Sequence, residues 1–338
     1  MSHQFTSGVF LHGQSAWHRL GTVLDGTLPV REAFRIAQAD FTVAGRTIYD
    51  ADMRPIDGYQ AITRTDTGTV LSVMNSTYTL VQNEQLIRLA EALHEDATMD
   101  AVCVLAEGRK VTFTARIRQA EGEVLRGDPV QQYLVGCTSH DGSLAFQVLF
   151  SPIRVVCQNT LSAALGLAAR PSQSGKLCRI RHTRNANALI AQLPALIDVQ
   201  RQQFTGGLAE LRAMAATSCT AAQFRAYIER VFAEQLSGTI NDRRGDASTA
   251  RPRQLEDLPA WESLASKFEG TAIGSDIPGV RGSYWGAYQA LTESLSHEAG
   301  RAKDPTEAAR QRLESLYWGQ GATTLTRAHE LALSATRA

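Results

Sequence analysis

The sequence predicts an α+β fold: a mostly antiparallel sheet with flanking helices, built on a β-β-β-α core and followed by a helical C-terminal region. Three observations carry that expectation. Two β-rich runs, Gln131–Thr138 and Leu144–Phe150, flank an Asp141-Gly142 turn, the strongest short-range hairpin signal. The run Lys110–Arg118 alternates cleanly, with Val111, Phe113, Ala115 and Ile117 on one side and Lys110, Arg116 and Arg118 on the other, so one face of the sheet is expected to be cationic. From residue 185 onward the apolar spacing shifts to threes and fours, as helices require.

Taken in order, residues 1–30 alternate turn formers with aromatics and are expected to form an irregular arm. Pro29 to Ala39 predicts a short helix, with Pro29 in its first turn. Strands are expected over 41–45 and 47–49, and a hairpin over 59–65 and 70–74. Asn83 is positioned to cap a helix running to about Glu95, and Ala101 to Leu105 predicts another strand. In 185–216, Pro194 and the pair Gly206-Gly207 predict a kink and a break. Thr220 to Gln223 has the capping-box pattern, opening a helix with Phe224, Tyr227, Ile228 and Val231 inside. The resulting division is a sheet domain over 1–184, a helical segment over 185–236, a flexible basic linker over 237–255 and a helical region over 256–338.

The composition, 43% hydrophobic and 20% charged over 338 residues, is that of a chain able to bury a substantial core. The first residues show no charged and apolar leader pattern, and no apolar run approaches the ~20 residues of a membrane span. Five cysteines at irregular spacings, three of them in apolar surroundings, suit a reduced, cytoplasmic protein. A net charge of zero excludes a globally basic DNA-coating protein and leaves room for a local basic face.

Catalytic and cofactor motifs are missing: there is no phosphate-binding glycine loop, no dinucleotide fingerprint, no Cys-x-x-Cys and no His-Glu-x-x-His. No metal or other cofactor is therefore expected. His140-Asp141 has the makings of an acid–base pair, but turn chemistry accounts for Asp141-Gly142. Cys157 falls at a strand-to-helix junction before Asn159-Thr160, where a helix N-terminus would activate a thiol; a packed, inert thiol beside a cap is the simpler account.

Charge is segregated along the chain. From Gly142 to Ile197 there is no Asp or Glu, while Arg154, Arg170, Lys176, Arg179, Arg181 and Arg184 contribute six positive charges. Clustered donors without intervening carboxylates are what phosphate binding needs, because neutralised phosphates release counterions. Tyr133, Phe146 and Phe150 offer stacking platforms for bases. The competing account is a solvated loop neutralised by Glu91, Glu95, Asp96 and Asp100.

Several segments together resemble one family. Ala16-Trp17-His18-Arg19-Leu20-Gly21, Tyr78-Thr79-Leu80-Val81-Gln82-Asn83-Glu84, Ser139-His140-Asp141-Gly142-Ser143, Arg154 to Leu161 and Trp285-Gly286-Ala287-Tyr288-Gln289-Ala290 look like the phage/plasmid-like proteins, a family described only as a domain of unknown function. Gln289 stands where that family usually has Asn. The resemblance implies residence on phages, prophages and plasmids beside genes for DNA handling and anti-defence, and supplies no catalytic residue. A second resemblance is topological. Strands over 109–118, 131–138 and 144–150 and a helix near 159–168 follow an order similar to the core of Rad52-type single-strand annealing proteins, which form rings with single-stranded DNA in a basic groove.

These readings converge on a non-catalytic protein of mobile-element DNA recombination that binds single-stranded DNA and anneals strands as a homo-oligomer, a ring in the Rad52 likeness. Arg154, Arg170, Lys176, Arg179, Arg181 and Arg184 are expected to contact phosphates, with Arg116 and Arg118 lining the sheet. The alternatives are a counter-defence protein that binds a host protein, and an enzyme using Cys157 or His140.

Overall fold

The computed structural model describes residues 5–11, 21–154, 159–160, 177–180, 188, 190, 192, 197–240, 251–298, 308, 311–312, 315–316 and 319–337. The long alternating run becomes the central strand of a large sheet. That strand, β7 (Lys110–Glu123), pairs antiparallel with β6 (Ala97–Leu105) on one side and β8 (Pro129–Ser139) on the other. Beyond β8 lies β9 (Phe146–Arg154), whose outer edge takes β10 (Asn159–Thr160) at one end and β11 (Leu177–Ile180) at the other. Pro152 sits in β9 between the stretches that β10 and β11 cover, where a missing N–H interrupts neither outer ladder.

At the opposite edge β1 (Phe5–Leu11) pairs antiparallel with β6 and parallel with β2 (Thr22–Leu24). This corrects the irregular arm expected for residues 1–30: Val9, Phe10 and Leu11 are buried strand residues whose partner lies far along the chain, out of reach of any local signal. The second correction is at Asn159–Thr160, expected to begin a helix and found pairing with Ile153 and Arg154 as a strand. The remainder of the predicted 159–168 helix, and the expected Pro194 kink, lie outside the described residues.

Alternation in β7 decides what each face does. Val111, Phe113, Ala115 and Ile117 are all buried. Over them lie α1 (Val30–Ile36) and α2 (Glu84–Ala92), with the Phe34 and Phe113 rings 6.2 Å apart. Gly136 faces Phe113 across the ladder, and a Cβ there would come within 2.3 Å of the Phe113 ring. A smaller antiparallel sheet, β3 (Val43–Arg46), β4 (Tyr59–Arg64) and β5 (Val70–Asn75), stands beside the large one, with β4 and β5 where the hairpin is expected.

The C-terminal half is helical: α3 (Ile197–Ala216), α4 (Ala221–Val231), α5 (Ala233–Leu236), α6 (Trp261–Ser266), α7 (Tyr284–Glu293) and α8 (Gln320–Ala335). Thr220 and Gln223 form the predicted capping box, the hydroxyl accepting from Gln223 N at 3.3 Å and the amide oxygen from Thr220 N at 2.8 Å. The break predicted at Gly206-Gly207 is absent, and α3 runs through both residues. Phe204, Leu208 and Leu211 hold that helix on the sheet, and their burial outweighs the ~1 kcal/mol propensity cost of each glycine. The basic segment after Ser237 is rooted by a two-residue ladder between β12 (Thr239–Ile240) and β13 (Arg251–Pro252). All ten residues of α7 are buried, as befits a helix surrounded on every side.

One cluster of buried apolar side chains extends from Val9 in the sheet to Ala332 in α8. A polar bond spans the same junction: Trp285 Nε1 in α7 donates to the buried Asp128 carboxylate, in the turn before β8, at 2.7 Å.

Gly136→Ala is expected to lower the unfolding free energy by about 1–3 kcal/mol through overpacking against Phe113. Gly206→Ala, whose new methyl meets nothing within 4 Å, is expected to raise it by about 0.5–1 kcal/mol. Urea denaturation of the two variants checks the opposite signs.

Candidate nucleic-acid interface

The face of the large sheet turned away from α1 and α2 carries polar and small residues in cross-strand rows. One row runs Gly8, Cys103, Thr112, Cys137, Gln147 and Arg179. Another runs Thr98, Arg116, Tyr133 and Ser151. Positions 116 and 179 therefore belong to the same face, three strand spacings and four residues apart. At ~4.8 Å per strand and ~3.3 Å per residue that is roughly 20 Å, so the two positions are well separated on that face. Arg154 pairs with Val130, which places position 154 on the alternate row, that of the opposite face. For Arg154 and Arg179 only the backbone is described, and Arg170, Lys176, Arg181, Arg184 and Cys157 lie outside the described residues.

The two arginines of β7 are not bare. A bulge between Met99 and Ala101 accompanies Asp100, which forms an ion pair with Arg116, Nε to Oδ1 3.2 Å, without hydrogen-bond geometry. Burial, with Asp100 adding to it and Arg116 opposing, pushes the neighbouring Tyr133 phenol up to about 12. Arg118, at the end of the β6–β7 ladder, donates from Nε to Thr98 Oγ1 at 3.3 Å and from Nη1 to the Glu95 carbonyl at 3.2 Å. The cationic face expected from β7 is thus partly neutralised at Arg116. Alternation located its arginines, but only the bulge in β6 brings Asp100 to them.

His140 is buried, and its Nε2 lies 2.9 Å from Asn83 Oδ1. The Asn83 amide in turn donates to the Phe41 carbonyl at 3.1 Å, so Asn83 serves this joint and makes no side-chain cap for α2, contrary to expectation. The backbone of His140 is bound too, its N–H to Arg109 O at 2.7 Å and its carbonyl to Ser72 Oγ at 2.7 Å. Phe41 packs edge-on to the imidazole, with the Arg64 guanidinium 3.9 Å over the Phe41 ring. Gln82 adds a double clamp: its amide oxygen accepts from Val43 N and its nitrogen donates to Val43 O, each at 2.9 Å. Two of the sequence segments that carry the family resemblance, 78–84 and 139–143, therefore meet in one polar joint between the sheets.

Asp141 keeps the turn role assigned to it. Gly142 has φ +72°, and Asp141 Oδ1 accepts from the backbone and hydroxyl of Ser143. Burial alone would raise its carboxyl pKa, but the bonds from Ser143 and Ser139 and the charge of Lys110 outweigh it and lower it.

Burial pushes the Cys103 thiol up to about 12 and the Cys219 thiol up to about 11. Neither is a nucleophile near neutral pH. Among the described residues no group of three or more His, Cys, Asp or Glu side chains is arranged to hold a metal ion. No local pattern marks the buried ion pair of Lys267 Nζ with Glu293 Oε1 at 3.1 Å, which the exposed Glu298 joins through Oε1 at 2.7 Å. It depends on π-helical turns at Lys267–Thr271 and Ser294–Glu298, which no sequence period marks.

With this architecture in view, comparison with known proteins defines the class of the chain as one recognised by sequence and not by a described activity. Residues 70–317 match the family described as a domain of unknown function (DUF932), and the chain belongs to that family. No curated protein and no solved structure matches it.

Two outcomes follow from this geometry. His140→Ala is expected to cost about 2–4 kcal/mol, since it opens a cavity and breaks the bond to Asn83, as thermal or urea unfolding will show. The raised pKa values of Cys103, Cys219, Tyr78 and Tyr133 mean that the unfolded chain loses protons first as pH rises, Tyr78 being pushed to about 12 by burial and then by Asp141. Stability is expected to be held below pH ~8.5, the unfolded thiol value, and to fall steadily above it toward pH ~11, measurable as a declining urea midpoint.

Proposed function

We propose that the protein binds single-stranded DNA and acts without catalysis in strand annealing during phage or plasmid recombination, as a homo-oligomer. The observation that carries the reading is the fate of the acidic residues that would otherwise neutralise the basic segment. Glu91 is engaged by Arg31 at 2.8 Å, Asp96 by Arg201 at 2.8 Å and Asp100 by Arg116 at 3.2 Å. Three of the four carboxylates nominated as partners for the segment thus already serve other arginines. A stretch of 56 residues, 142–197, carries six cations and no carboxylate of its own. Phosphate is the partner that such a stretch suits. Arg154, Arg170, Lys176, Arg179, Arg181 and Arg184 are the proposed phosphate contacts, with Arg116 and Arg118 at the sheet. The β7-β8-β9 meander supports the likeness to the Rad52-type core, and annealing requires only that a backbone be held with its bases presented.

A second reading, a counter-defence protein that binds a host protein, is favoured by exposed apolar side chains on the small sheet. Tyr59, Val70 and Val73 are each more than half exposed and lie on one face of β4 and β5. Tyr49, Met53 and Ile56 extend that exposed set.

Salt titration of oligo-dT binding separates the two. Log Kd is expected to rise linearly with log salt, and reversing Arg179, Arg181 and Arg184 to Glu is expected to flatten the slope by about 2, at ~0.7 per phosphate contact. Salt-independent affinity, or unchanged binding after the triple reversal, would refute the DNA reading. Absence of DNA binding together with a host protein retained by wild type and lost in Tyr59→Arg would establish the second.

A further inference from the structure

Between the start of α1, the C-terminal half of α2 and the β6–β7 ladder lies a pocket of about 110 Å³. Its walls are apolar: Leu28, Val30, Leu93, Met99, Phe113 and Ala115. Polar groups join the lining from Thr27, Thr98, His94 and Arg118. Leu93, Met99, Phe113 and Ala115 are buried, and His94 and Arg118 are exposed, so the pocket is a half-open, mostly apolar slot with Arg118 on its exposed side.

Arg118 is set in place on that side. Its Nε and Nη1 are spent on Thr98 Oγ1 and the Glu95 carbonyl, which fixes the plane of the guanidinium and, among the described residues, leaves Nη2 uncommitted. No carboxylate pairs with Arg118 among the described residues. The nearby acid Asp96 is held by Arg201 instead, at 2.8 Å. A charged donor planted without a counter-ion at the mouth of an apolar slot is complementary to an anion with a compact apolar body.

Size narrows the class. An apolar cavity of ~150 Å³ accepts benzene, so a slot of 110 Å³ takes a slightly smaller body. A nucleobase is a poor fit, because its ring nitrogens and carbonyls would meet apolar walls and lose their hydrogen bonds to water. We infer that this pocket is a binding site for short-chain monocarboxylates of about four to six carbons, with the carboxylate on Arg118 and the alkyl chain against Phe113, Met99 and Leu93. The site goes beyond nucleic-acid binding: it shares Arg118 with the proposed phosphate contacts, and the rest of its lining lies outside both them and the basic segment.

The test uses the purified full chain with pentanoate as probe, and acetate, octanoate and pentan-1-ol as controls, followed by ligand-detected NMR titration. Pentanoate is expected to bind, acetate and octanoate to bind at least about fivefold more weakly. Arg118→Gln is expected to weaken pentanoate about tenfold, the loss of one charge-assisted bond, and to leave pentan-1-ol unchanged. Ala97→Leu fills the slot and is expected to abolish binding; Ala97→Val replaces it should the larger side chain prevent folding. Equal affinity for acetate and pentanoate, or unaltered pentanoate binding in Arg118→Gln or in the folded Ala97 variant, would overturn the assignment. Pentanoate binding with no affinity for oligo-dT would keep this site and remove the DNA reading, and the reverse result would do the opposite.

Discussion

The period-two alternation of β7 is the constraint from which the rest of the structure follows. A strand cannot shift by one residue without turning its whole apolar set to the other face. Val111, Phe113, Ala115 and Ile117 therefore fix both the register with β6 and β8 and the side on which α1 and α2 must pack. The same rule places the threonines, cysteines and Arg116 together on the opposite face. Function, in the sense proposed, uses what this constraint leaves over.

Legibility in the sequence followed the range of the interactions. The β4–β5 and β8–β9 hairpins, α1 and the Thr220 capping box are governed by neighbours within a few residues, and all are where their local patterns put them. The strand β1 has no local signature because its partner is β6, and Gly206-Gly207 does not break α3 because tertiary burial holds the helix together. Asn83 has the chemistry of a helix cap, yet a buried imidazole brought from β8 claims its side chain. Of the candidate site, the positions of Arg116 and Arg118 on β7 were legible from alternation. Their partners Asp100 and Thr98 were not, since a bulge and a cross-strand contact decide them.

Two kinds of polar group hold the molecule together, with different consequences. The His140–Asn83 joint and the Trp285–Asp128 bond are buried, and each ties together pieces that the apolar core alone would leave free to slide. The exposed pairs, Arg31 with Glu84 and Glu91, Arg225 with Glu256, Arg251 with Asp257, add little stability each. Their effect is instead on the charge pattern: the surface carboxylates held this way face arginines outside the run from Gly142 to Ile197, which carries no carboxylate of its own.

The placement of β1 also orders the assembly of the chain in time. Strands β6 to β9 form a meander whose neighbours follow one another closely, so they can pair soon after they leave the ribosome. The strand β1 is synthesised before β6, yet Val9 pairs with Val102, about ninety residues later. Its edge that takes β6 must wait until β6 exists, and among the described residues β2 pairs only with β1. A strand made before the meander is thus seated only after it, and the sheet closes at that edge last.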